Sequence, residues 1–103
     1  MAEARGEDMT IPGALMDEIS QFVKVDRETL ITRGIASLLK ERKRLVLLER
    51  LQLLARHGVR SRQELEWAIQ EGKVEEHPTW EDVIVLENLD AEIARIDGYL
   101  NSL

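Results

Sequence analysis

An all-α fold, with room for one short strand at the N-terminus, is what this sequence predicts, and three observations predict it. Apolar residues recur every three or four positions in four separate stretches, which is helical rather than strand periodicity. Helix-capping residues stand ahead of these stretches at Asp26, Ser61 and Thr79. Glycines close two of them at Gly58 and Gly72. With hydrophobic residues at 44% the chain can build a core, and with aromatics at 4% that core must be mostly Leu, Ile and Val.

The elements follow in order. In Met9-Thr10-Ile11-Pro12, Met9 and Ile11 would share one face of a short strand, with Thr10 on the other. Pro12 suits a helix start, where its missing N–H costs nothing. Leu15, Ile19, Phe22 and Val23 then predict an amphipathic helix over 13–24. Asp26 is placed to cap a second helix, with Glu28 in its first turn. The series Leu30, Ile31, Ile35, Leu38, Leu39 runs on into Leu45, Val46, Leu48, Leu51 and Leu54, and Gly58 closes it with Val59 folding back. Taken as one piece, Asp26 to His57 is 32 residues. That is about 48 Å of helix, against a radius of gyration of ~13 Å for a globule of this size. Either the helix breaks near Lys40–Arg44 or another chain covers it; apolar residues on more than one face favour oligomerisation.

Ser61-Arg62-Gln63-Glu64 is a capping box, opening a third helix with Leu65, Trp67, Ala68 and Ile69. After the charged linker Lys73–Pro78, Thr79 is the expected cap of a fourth helix. There Val83, Leu86, Leu89, Ile93, Ile96, Leu100 and Leu103 form a narrow seam that must meet another helix, in this chain or another.

Charge is unevenly spread. The net charge is −6, yet residues 24–62 hold eleven Lys/Arg against four Asp/Glu, and residues 51–103 hold five against eleven. A basic middle followed by an acidic tail implies either two surfaces with different partners or charges that neutralise one another. Several chemistries find no residues. Without cysteine there is neither a disulfide framework nor a thiolate metal site. G-x-S-x-G and the phosphate-binding G-x-x-x-x-G-K-[ST] are both missing. His57 falls at a helix C-terminus, where it complements the dipole; His77, among Glu75, Glu76, Glu81 and Asp82, matches no metal-ligand spacing, and a hydrolase built on those carboxylates is the least favoured reading. No catalytic residue, metal or cofactor is expected. MAEARGEDM lacks the apolar stretch of a signal peptide and no apolar run approaches a membrane span, so the cytoplasm is the expected location, with no membrane partner.

The stretch Ile11-Pro12, Leu15, Ile19, Phe22-Val23, Asp26-Arg27-Glu28-Thr29-Leu30-Ile31, Gly34-Ile35-Ala36, Leu38-Leu39 and Arg42 resembles the ribbon-helix-helix family of prokaryotic repressors and antitoxins. The resemblance covers roughly residues 8–44 and implies a dimer whose paired strands enter the DNA major groove while the second helix's N-terminus meets phosphate. Carried onto this sequence, it implies DNA contacts at Thr10, Lys24, Arg27 and Arg33, and dimerisation through Ile11, Ile31, Ile35 and Leu38, to which Leu45 and Leu48 are added as expected contacts from the apolar faces farther along the helix. The turn after Val23 carries no glycine, and Asp8 presents the wrong sign to phosphate.

Three parts are therefore expected: a ribbon-helix-helix-like dimerisation part over 1–44, a continuation of the long helix over 45–60, and an acidic helical segment over 61–103 that binds a partner. Trp67, Trp80, Leu86, Leu89, Ile93, Ile96 and Leu100 are its expected contacts, tryptophan being enriched at binding hot spots. The expected function is an antitoxin-like or repressor-like adaptor, binding itself, a toxin protein and duplex DNA. The competing expectation is a structural helical oligomer or protein-interaction module that touches no nucleic acid.

Overall fold

The computed structural model describes residues 11–103. These form four helices, α1 (Gly13–Val23), α2 (Arg27–Arg56), α3 (Arg62–Gln70) and α4 (Glu76–Ser102), and no strand is present among the described residues. Met9 and Thr10, which carry most of the expected strand, lie outside the described residues; Ile11 sits in a bend and Pro12 directly precedes α1. Two compact units emerge, one ending at Ile35 and the other running Ala36–Leu103. Their boundary falls within α2.

In the first unit, Pro12 takes the N-cap position with extended backbone, and its carbonyl accepts the Met16 N–H at 3.0 Å. Met16 is the buried residue of α1. The helix ends at Lys24, which adopts the left-handed conformation (φ 63°) that glycine usually fills. Its backbone N–H and that of Val25 both return to the Ser20 carbonyl, and the Ser20 hydroxyl donates to the Val25 carbonyl. Asp26 then caps α2 as expected, its Oδ1 accepting the Thr29 N–H at 3.1 Å. That hydrogen bonding holds the Asp26 carboxyl below the usual range.

The long second helix, α2, does not break at Lys40–Arg44. Those five residues are all Lys, Arg or Glu, which extend a helix readily, and neither Gly nor Pro interrupts 35–57. Its C-terminus is a Schellman motif: Gly58 is left-handed (φ 67°), its N–H meets the Ala55 carbonyl at 3.0 Å, and the Val59 N–H meets Leu54 at 3.1 Å. The Ser61 hydroxyl accepts the Glu64 N–H at 3.0 Å to open α3. Glu64 reaches back to the Arg60 N–H at 2.6 Å, one residue earlier than a standard capping box would place it. Gly72 repeats the left-handed stop, with Lys73 bonded back to Ala68 at 2.9 Å.

One sequence expectation fails here. The last helix begins at Glu76 with Glu75 in the cap position, and Thr79 is a buried residue inside it. Pro78 lies within the first turn, where no N–H donor is required, so the proline that looked like a linker residue extends the helix N-terminally.

The core of the second unit joins three helices. Leu53 and Leu54 of α2, Leu65 and Ile69 of α3, and Val83 and Leu86 of α4 form one buried cluster, with Val59, Val74 and Trp80 packed against it. Val46, Leu89 and Ile96 are buried as well. The α4 seam therefore finds its partner helices within its own chain.

Candidate protein-interaction surface

Where the charges go decides which surfaces remain. Along the second unit α2 and α4 lie antiparallel, joined by a ladder of ion pairs. Lys43 meets Asp97 at 2.7 Å, Arg42 meets Glu92 at 2.5 Å, and Arg50 meets Asp90 at 2.6 Å. At the far end Asp82 takes both Arg56 at 3.3 Å and His57 Nε2 at 2.7 Å. Asp90 also lies 3.8 Å from Arg62 of α3, whose Nη1 pairs with Glu66 at 2.8 Å. Glu92 raises the already high Arg42 pKa. Five of the eleven basic residues in 24–62 (Arg42, Lys43, Arg50, Arg56 and Arg62) thus pair with carboxylates of the acidic segment. Pairs this exposed add little stability, so the ladder fixes register more than it stabilises the fold.

The residues expected to bind a partner separate accordingly. Leu86, Leu89 and Ile96 are buried in the chain's own core, with Leu86 fully enclosed, while Ile93 and Leu100 are half-buried beside them. Trp80 is half-buried against the same core. Trp67 is different: it is 51% exposed, with the Lys73 ammonium 4.3 Å from its ring centroid. Periodicity identified the α4 seam but carried no information on whose helix would fill it.

The residues expected at a dimer contact all reach solvent. Ile11, Ile31 and Ile35 are exposed in the first unit, and Leu38, Leu45 and Leu48 are exposed in the second, Leu38 at 74%. Other large apolar residues are exposed too, Leu51 and Phe22 among them. Leu51 is 63% exposed on α2, and Phe22, on the apolar side of the predicted amphipathic helix, is 85% exposed on α1. An apolar moment reveals a sticky face and cannot say whether the chain covers it.

Over residues 38–55 the outer side of α2 has its own repeat. Leu38, Glu41, Leu45, Leu48, Gln52 and Ala55 are spaced three and four apart, and all are exposed. They lie on the side of the helix away from Lys43, Val46, Arg50 and Leu54, which face the rest of the unit. Glu41 and Arg44 pair with each other on this outer side in a two-pronged contact (2.8 and 3.0 Å), which lowers the Glu41 pKa. Between α2 and α4 a second, polar-edged groove is lined by Leu39, Arg42, Glu92, Arg95, Ile96 and Tyr99. There Arg95 donates to the Tyr99 hydroxyl at 3.0 Å.

Of the residues that the family resemblance assigned to DNA, Thr10 lies outside the described residues, and Lys24, Arg27 and Arg33 are exposed. Arg27 stands 3.9 Å from Asp17. At the start of α2, Asp26 takes the Thr29 N–H, one residue beyond the amides of 26–28 that the resemblance assigns to phosphate. No group of three or more His, Asp or Glu is placed to hold a metal ion among the described residues, and His77 approaches Glu81 at 3.7 Å. No helix among them is long and apolar enough to cross a membrane.

Compared with known proteins, residues 9–103 match the model of a family described as "Uncharacterized protein MJ0235 family". No curated protein and no solved structure matches the chain.

Proposed function

The chain belongs to the MJ0235 family, and from the uncovered apolar faces of its helices we propose that it is a non-catalytic helical association module. The observation that carries this reading is the row Leu38, Leu45, Leu48 and Leu51, four leucines of one helix left exposed while Leu53 and Leu54 of the same helix are buried. Contiguous exposed apolar surface of this kind marks association sites in soluble proteins. The charge pattern supports the same reading from the other side. Because Arg42, Lys43, Arg50 and Arg56 are taken up by carboxylates of α4, less of the exposed side of α2 is free charge and its leucines stand out.

Co-purification of tagged wild-type and Leu48→Glu chains with the products of adjacent genes, together with molar mass in solution, tests the proposal. The wild type is expected to enter a complex, with itself or a neighbour, and Leu48→Glu to lose it while remaining helical. A wild-type chain that stays a monomer alone and with every neighbour would sink it.

A repressor- or antitoxin-like role is the second reading. It is supported by the short helix, tight turn and Asp26-capped helix of the first unit, in the layout the ribbon-helix-helix resemblance implies, with Lys24, Arg27 and Arg33 exposed there. Duplex DNA titrated at two salt concentrations separates the readings, since phosphate contacts weaken steeply with salt.

A further inference from the structure

We propose that the outer face of α2 over residues 38–55 is closed by the same face of a second copy of the chain, running antiparallel about a twofold axis level with Val46 and Leu47. The inference rests on the association reading above and names the occupant of that surface.

Its basis is that the outer repeat complements itself when reversed. In order, Leu38, Glu41, Leu45, Leu48, Gln52 and Ala55 read apolar, polar, Leu, Leu, polar, apolar. A twofold interface requires that one patch satisfy both sides at once, and this order does so. Leu45 meets the partner's Leu48 on either side of the axis. Glu41 meets the partner's Gln52, whose amide can donate to it. Leu38, the most exposed leucine of the face at 74%, meets the small partner's Ala55 and gains room for its side chain. On one flank the partner's Glu49 comes near Arg42, which keeps its own pair with Glu92; on the other, Leu51 lies along the aliphatic stem of the partner's Arg44.

Parallel pairing fails the same test. It stacks Glu41 on Glu41, placing two carboxylates together in the middle of the seam, where like charges oppose association. It also sets Ala55 on Ala55, leaving the end of the seam unfilled. The seam from Leu38 to Ala55 covers about 27 Å, enough for six layers of contact.

The chain has no cysteine, so introduced thiols report geometry without background. Leu38→Cys and Ala55→Cys chains are purified separately, then oxidised alone and as an equimolar mixture. Both positions are exposed, so neither substitution threatens the core. The expected result is a cross-linked dimer in the mixture and little in either chain alone. Light scattering should give the wild type twice the 11.8 kDa of the monomer. Leu45→Glu should halve that mass with the far-ultraviolet helical signal unchanged. Cross-linking of Leu38→Cys with itself would overturn the antiparallel arrangement, and a dimer without any cross-link would overturn the choice of face. A wild-type monomer would overturn self-association; if that monomer still forms a Leu48-dependent complex with a neighbouring gene product, the association reading stands while this inference falls.

Discussion

Gly58 and Lys24 occupy the same left-handed region of backbone space, with φ of 67° and 63°, and only one of them is a glycine. A side chain with a Cβ costs roughly 1–2 kcal/mol there. Gly58→Ala should therefore destabilise the second unit by about that amount, read as a lower urea midpoint with an unchanged slope. Lys24→Gly should move in the opposite direction, slowing hydrogen exchange in α1. Burial sets a second contrast. Leu86 has no exposed surface and Leu51 is 63% exposed. Leu86→Ala should cost about 2–5 kcal/mol, a large part of a typical domain's stability, whereas Leu51→Ala should fall within about 0.5 kcal/mol. These residues also mark what the sequence disclosed. Asp26, Gly58, Ser61 and Gly72 were legible because capping is local chemistry, decided within four or five residues. Asp82 was not, since its partners lie 25 and 26 residues away and nothing in local spacing joins them.

At the scale of elements, α2 and α4 were both legible as helices, while their relationship was not. The α4 seam promised a helical partner, and only the fold shows that α2 and α3 of the same chain supply it. The start of α4 was misplaced because Pro78 reads as a linker residue, although a proline in the first turn of a helix breaks no hydrogen bond. Asp90 joins all three helices of the second unit through Arg50 and Arg62. Asp90→Asn, which leaves Arg50 without its counter-charge while Arg62 keeps Glu66, should cost about 1–2 kcal/mol by thermal melting; Arg44→Ala, whose pair with Glu41 is exposed, should leave the melting temperature nearly unchanged. Acid acts on the capped and paired carboxylates. Asp26 and Glu41 have depressed folded-state pKa values, through hydrogen bonds from Thr29 and Arg44. Their contribution is thus present above the ordinary carboxylate range and lost as pH falls through the depressed values. Asp26→Ala should flatten the decline in melting temperature between about pH 5 and pH 3.

For the whole molecule, the net charge of −6 and the internal pairing of Arg42, Lys43, Arg50 and Arg56 bear on nucleic acid. Basic residues already matched to carboxylates release few counterions when DNA arrives. As an association module, the chain should bind duplex DNA weakly and with a shallow salt dependence in a filter-binding titration at two salt concentrations. A steep slope, on the order of several phosphates' worth, would favour the repressor-like reading. The sequence's uneven charge invited two partners because composition counts charges without pairing them; position along two antiparallel helices does the pairing.

The ladder between Lys43–Asp97 and His57–Asp82 has a mechanical corollary. Sliding one helix along the other by a single turn would separate every rung together, so the hairpin has one setting and resists bending. A rod held straight by its neighbour arrives at an encounter already in its docking shape, and little conformational entropy remains to be lost on contact. On the association reading proposed above, modest leucine patches on such a rod would hold a companion that the same leucines on a floppy peptide would let go.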